Sequence, residues 1–284
     1  MDPRFLRTFE TVTRLASFSA AARELGYTQS AISQQIAALE GDLGTPLLHR
    51  RPVAPTEAGA RLLEHAGPIR LRLDAARADV RRVAAGPPGV LRIGATPLSA
   101  GLAARAVADA RHARPALEAA VRVGPRAEIA VAVATGELDA AFVDGVAAPN
   151  DPLRLPDTGL AVAESREEEL VVALPPGHPL RGPARLENLV DARWIDAPGV
   201  TMPLDELAAV ARAEGFRAAL RYDGLDVTGL LALVAAGQGL ALLPARVADG
   251  VPLAAPRLLH RTELLHGGDP LPASLRIAEH RAGG

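Results

Sequence analysis

Three short helical patterns open the chain, and a long one follows. Leu6, Phe9 and Thr13 begin the first; residues 20–25 make the second and residues 31–43 the third. Their apolar positions recur three or four residues apart, the spacing of one helix face. In residues 58–85 the apolar positions are Leu62, Ala66, Ile69, Leu73, Ala76, Val80 and Val83. Steps of four and three alternate, as in the seam of a coiled coil, and arginines fill the other faces. The pattern predicts a helix that associates with a copy of itself. Pro68 should kink this helix or split it in two, because proline lacks the N–H and its ring crowds the preceding turn.

"AAGPPG", residues 84–89, breaks the helix and reads as a hinge. Strand and helix patterns alternate beyond it. "VLRIGA", "LEAAVRVG" and "DAAFVD" predict strands; "SAGLAARAVADARHA" and "AEIAVAVATGEL" predict helices between them. A βαβαβ order implies a parallel sheet with crossover helices. After Pro149, Pro152 and Pro156 a second α/β unit follows, in "EEELVVALP", "ARWIDA", "LDELAAVARAEGF", "AALRYD", "VTGLLALVAAGQG" and "LALLP". The expected domains are 1–58, a linker helix and hinge over 59–88, and 89–284. The last divides into one subdomain of about 89–163 plus 262–284 and another of about 164–261.

Composition narrows the chemistry. The chain has 284 residues, 49% of them hydrophobic, and no cysteine, which removes disulfides and thiolate chemistry. All 31 basic residues are arginine, so a P-loop lysine or a Schiff base is excluded. Residues 1–88 carry 12 arginines and 9 acidic residues; the remainder carries 19 and 24. The front is mildly basic and the rest acidic, which permits a nucleic-acid partner at the front. No signal-peptide core follows Met1, and the longest apolar run, near 230–243, is too short to span a bilayer. A cytoplasmic protein is expected, without a membrane partner.

The stretch "FSAAARELGYTQSAISQQIAALE" has the plan of a helix-turn-helix. Ala20, Ala21 and Ala22 allow close helix approach, Gly26 suits a left-handed helix end, and Thr28 stands where an N-cap is wanted. Gln29, Ser30, Ser33 and Gln34 then lie on the polar side near the start of the second helix. In this motif such side chains enter the major groove, where Gln pairs with adenine and Ser serves bases or phosphates. "HRRPVAPTEAG" adds a short turn with Arg50 and Arg51, suited to phosphates.

With these pieces the sequence resembles the LysR-type transcriptional regulators. The likeness lies in "FLRTFETVTRLASFSAAARELGYTQSAISQQIAALEGDLGTPLLHR", "PTEAGARLLEHA", "GHPL" and "LVAAGQGLALLP". It implies an α/β protein with an N-terminal all-α winged helix-turn-helix and a long dimerising linker helix. It further implies a C-terminal effector domain of two subdomains, like a periplasmic binding protein, and homodimers that often pair into tetramers. Ser30 stands where members commonly have Pro, Gln34 where a basic residue is frequent, and Leu48 where Phe is usual. The resemblance carries Gln29, Ser33 and Gln34 toward bases, and Thr28, Arg50 and Arg51 toward the DNA backbone.

In the second half, ligands of a parallel sheet sit at strand carboxyl ends beside helix starts. "GATPLS", "VGPRAE" and "DAPGVTMP" are such turns, and they offer Thr96, Ser99, Arg126 and Thr201 to an effector. Thr96 and Ser99 also have the makings of simple helix caps. Helix starts and Arg126 favour an anionic effector. Glu167–Glu169 reads as a solvated edge and His178 as a turn residue. No hydrolase, zinc-protease or dinucleotide motif is present, so no catalytic residue, metal site or cofactor is expected. The leading expectation is a DNA-binding regulator controlled by a small molecule. The alternatives are a constitutive DNA-binding protein whose C-terminal half only oligomerises, and an α/β enzyme with a fused helical front.

Overall fold

The structure, a computed structural model, describes residues 1–85, 90–156, 160–212 and 215–267. Residues 86–89 of the expected hinge, the Val83 side chain of the seam and the expected stretch after 267 lie outside the described residues. Contacts divide the chain into two units, Met1–Ala76 and Arg77–Gly284.

In the first unit each short helix starts at a side-chain cap. Helix α1 (Pro3–Leu15) follows Asp2, whose Oδ1 accepts from the Arg4 N–H at 2.8 Å. Helix α2 (Phe18–Leu25) follows Ser17, which accepts from Ala20 N–H at 3.2 Å. Helix α3 (Gln29–Leu43) follows Thr28, which accepts from Ala31 N–H at 3.2 Å. These bonds satisfy donors that a helix start leaves open. Gly26 ends α2 with φ 70°, a conformation that costs glycine nothing. The tight turn it allows brings Ala21 and Ala22 against Phe9, Val12, Ile32 and Ile36 in one buried cluster.

Strands β1 (Leu48–Arg50) and β2 (Val53–Pro55) form an antiparallel hairpin beside α3. Glu40 of α3 organises it. Its Oε1 accepts from the Leu47 and Leu48 N–H groups at 2.9 and 3.2 Å, and its Oε2 from Arg50 Nη2 at 3.0 Å. Helix α4 (Glu57–Ala85) then runs as one element through Pro68. The expected split does not occur: a proline removes one intrahelical bond, and the turns on either side keep theirs. Along the seam Leu62, Ile69 and Leu73 are half-buried, whereas Ala76 and Val80 are exposed, Val80 at 71%.

The second unit opens as expected. β3 (Val90–Ala95), α5 (Ala100–Ala113), β4 (Glu118–Val123), α6 (Arg126–Ala134) and β5 (Ala140–Ala147) give a βαβαβ order in which β3 lies parallel to both β4 and β5. Residues of β5 alternate between two layers. Ala140 and Phe142 pack in the cluster with α5, and Ala141 and Val143 in the cluster with α6.

β6 (Ala161–Ala173) is the longest strand, and after it come β7 (Ala184–Arg185) and β8 (Arg193–Asp196). The chain continues through α7 (Leu204–Ala211), β9 (Arg217–Arg221), α8 (Val227–Ala235), β10 (Ala241–Pro244) and β11 (Gly250–Ala255). Trp194 of β8 is buried with Leu170, Val172 and Leu242, and its Nε1–H donates to Leu189 O at 2.9 Å. The final described strand, β12 (Leu259–His266), is one the periodicity did not predict. It lies between β5 and β6, antiparallel to both, in a sheet ordered β4-β3-β5-β12-β6-β11-β7. The far end of β6 pairs with β10 and β11, so one strand serves both α/β halves.

Candidate functional site

Two places collect the predicted residues: one face of α3 and a cavity in the second unit. On α3, Ile32, Ile36 and Leu39 are fully buried, and this fixes the rotation of the helix. Gln29, Ser30 and Gln34 are then exposed and Ser33 is half-buried, on the other side. Thr28 is exposed as well; besides capping α3, its hydroxyl lies 3.0 Å from that of Ser30. Gln35 turns inward instead, where its Oε1 accepts from the Thr8 hydroxyl at 2.6 Å. Tyr27, in the turn before α3, is 49% exposed, an amphipathic side chain that joins this face. Its place in the Gly-Tyr-Thr turn was the available signal.

The two wing arginines differ. Arg51 is exposed at the hairpin tip. Arg50 is held: it pairs with Glu40 at 3.0 Å, and its guanidinium lies 4.9 Å from the Phe18 ring centroid. A charge so engaged also supports the local fold, a role the sequence pattern did not suggest for it.

The cavity of the second unit has a volume of about 250 Å³. Three of the four predicted effector residues line it: Thr96, Arg126 and Thr201. Ser99 does not. It is 0% exposed, and its hydroxyl donates to Phe142 O at 2.6 Å and lies 2.8 Å from the Thr96 hydroxyl. The turn after β3 therefore divides its labour: Ser99 locks the turn to β5, and Thr96 faces the cavity. Thr201 is half-buried, with its hydroxyl 3.2 Å from Met202 O. Arg126 opens α6 and donates from Nη1 to Asp144 O at 3.3 Å. It lies across Gly145, where an added Cβ would meet Nη1 at 2.0 Å. Only glycine leaves room for the guanidinium there.

At the bottom of the cavity sit Asp144 and His260, 6% and 1% exposed. The Thr96 hydroxyl donates to Asp144 Oδ2, and the Asp144 N–H donates back to Thr96 Oγ1 at 3.0 Å. His260 Nε2 lies 3.3 Å from Asp144 Oδ1, and its Nδ1 lies 2.9 Å from Glu168 Oε1. Glu168 also pairs with Arg246, whose Nη2 donates to Leu98 O at 2.7 Å. Burial pushes the Arg246 guanidinium below the usual arginine range, and the field of Asp144 opposes that shift. The acidic run is thus mostly engaged: Glu168 as described, Glu167 by Arg261 at 2.8 Å, with Glu169 exposed. His260 was missed because β12 was missed; only the register of β12 between β5 and β6 brings it to Asp144.

Among the described residues, no group of three or more His, Asp or Glu side chains is arranged to hold a metal ion. No helix among them is long and apolar enough to cross a membrane.

Comparison with known proteins bears on both places. Residues 3–60 match the family model for bacterial regulatory helix-turn-helix proteins of the lysR family, and residues 84–265 match the LysR substrate binding domain. The chain is 32% identical over 290 aligned positions to the small neutral protease regulatory protein of Streptomyces lividans, covering 99% of this chain and 79% of that one. It is 32% identical over 255 positions to the HTH-type transcriptional regulator BudR of Raoultella terrigena, covering 86% and 84%. Among solved structures, full-length BenM aligns with a TM-score of 0.51 and 26% identity, covering 97% of this chain and 93% of that one.

Proposed function

The chain belongs to the LysR family of bacterial regulatory helix-turn-helix proteins, and we propose that it reads its operator through α3 and its signal through the cavity above Asp144 and His260. As a LysR-type protein it is a DNA-binding transcriptional regulator with an effector-binding domain. Gln29, Ser33 and Gln34 meet base edges in the major groove; Thr28, Ser30, Arg50 and Arg51 meet the backbone. The observation that carries this assignment is the rotation of α3: its apolar face is consumed by the core, so its amide and hydroxyl groups face outward. The seam of α4, with Val80 exposed, is the self-association surface, and a symmetric dimer calls for a palindromic site. A DNA target supports a cytoplasmic location.

Thr96, Arg126 and Thr201 contact the effector, and Ser99 supports them from behind. A ligand that binds two arrangements of the α/β halves unequally shifts their populations, and DNA affinity follows by linkage. A C-terminal half that served only assembly would have no use for a cavity with a buried polar floor. Selection of bound duplexes from random sequence, followed by footprinting with and without a metabolite extract, tests the reading. Enrichment of one palindromic motif whose footprint changes with extract is expected. No enriched motif would remove the α3 assignment; an unchanging footprint would remove the effector.

A further inference from the structure

We propose that the cavity takes a compact zwitterion, its ammonium seated on Asp144 and His260 and its carboxylate on Arg126 and the start of α6. The proposal deepens the effector reading above and rests on it.

The floor supplies the first half. Glu168 Oε1, an acceptor, lies 2.9 Å from His260 Nδ1, so Nδ1 carries the proton. On the other side of the ring, Nε2 lies 3.3 Å from the Asp144 Oδ1 acceptor. Nε2 makes no hydrogen bond although His260 is only 1% exposed. A buried polar atom without a partner is costly, and the Asp144 carboxylate beside it is served by a group rich in donors. Asp144 and Glu168 put two carboxylates beside the ring, and Arg246 pairs with Glu168, which leaves the Asp144 carboxylate facing the cavity. An ammonium on the floor supplies donors to the Asp144 carboxylate in a charge-assisted pair.

The wall supplies the second half. Helix α6 begins at Arg126 after Pro125, no side chain caps it, and its first residues, Arg126 and Ala127, line the cavity together with Pro125. Helix starts favour anions, and the Arg126 guanidinium reinforces that preference. Arg126 reaches the Asp144 carbonyl at 3.3 Å, so the cationic wall and the acceptor floor are neighbours. A ligand bridging them needs opposite charges a few atoms apart. A volume of about 250 Å³ lies below the roughly 300–1,000 Å³ of drug-sized sites, which suits a compact molecule such as an amino acid.

The test is calorimetric titration of the full-length protein with the standard L-amino acids individually, and with the des-amino carboxylic acid of each one that binds. At least one amino acid should bind and raise the melting temperature, and its des-amino acid should bind at least about tenfold more weakly. Asp144→Asn should weaken the amino acid at least about tenfold, and His260→Gln should do so too if Asp144→Asn fails to fold. A des-amino acid that binds as tightly, substitutions that leave Kd unchanged, or no amino acid binding at millimolar concentration would each overturn the proposal. A footprint that responds to extract while no amino acid binds removes the zwitterion and keeps the effector reading. An amino acid that binds without changing the footprint does the reverse.

Discussion

On α3 the polar side chains point away from the fold, while at the floor of the cavity they point at one another. Gln29, Ser30 and Gln34 are exposed, and the helix would pack equally well without them. Thr96, Asp144 and His260 are nearly or fully buried and joined through hydroxyl, carboxylate and ring, so each depends on the next. On the reading proposed above, the first region recognises by presenting a face, and its residues carry binding energy at little cost in stability. On the same reading the second recognises by holding a shape, so its residues carry binding and stability together.

Substitutions can sharpen or break that contrast, the buried polar groups of the second unit giving the largest effects. Glu263, 1% exposed on β12, accepts from Leu153 N–H at 3.1 Å and from Arg261 Nε at 2.7 Å. Glu263→Ala should cost about 3 kcal/mol, because it removes one of the two carboxylates that hold the largely buried Arg261 and leaves the buried Leu153 amide without its partner. Trp194, the single tryptophan, lies in the same unit, and its fluorescence in a urea titration should report the loss. A midpoint like that of the unsubstituted protein would mean that the buried polar groups are dispensable.

Gln29→Ala should do the opposite. Affinity for the selected operator should fall by about 1–3 kcal/mol in a fluorescence anisotropy titration. The urea midpoint should correspond to a change within about 0.5 kcal/mol. If stability fell as much as affinity, α3 would be no freer than the cavity floor.

The wing arginines form a smaller version of the same contrast. Arg50→Ala should cost the first unit about 1 kcal/mol, since it removes the Glu40 pair and the Phe18 contact. Arg51→Ala should leave stability unchanged and lower the slope of log affinity against log salt by about one. Equal salt slopes for Arg51→Ala and the unsubstituted protein would take the hairpin tip off the phosphates.

What could be read in the sequence follows the same division. The rotation of α3 was legible because a helix buries a stripe, and Ile32, Ile36 and Leu39 mark that stripe. Caps were legible too, since Thr28 and Gly26 act through their own backbone neighbourhood. The continuity of α4 through Pro68 was not, because tertiary packing and the flanking turns outweigh one missing bond. Neither was β12. Its sequence, "LHRTELLH", puts His260, Thr262 and Glu263 into the interior, so the expected alternation of apolar and polar positions is absent. His260 and Glu263 are satisfied there by partners far along the chain, Glu168 and the Leu153 N–H. Half of the cavity lay in turns that announce themselves, Thr96, Arg126 and Thr201. The other half lay in a pairing register that no local pattern encodes.

The position of β12 has a consequence for how the protein is made. It is the last described strand to leave the ribosome, yet it fills the gap between β5 and β6 in the middle of the sheet. Until residues 259–266 emerge, a nascent chain carries two raw edges and an unformed cavity, while the helix-turn-helix can already have closed. A message truncated shortly before that strand would therefore yield a protein able to occupy DNA but deaf to any signal.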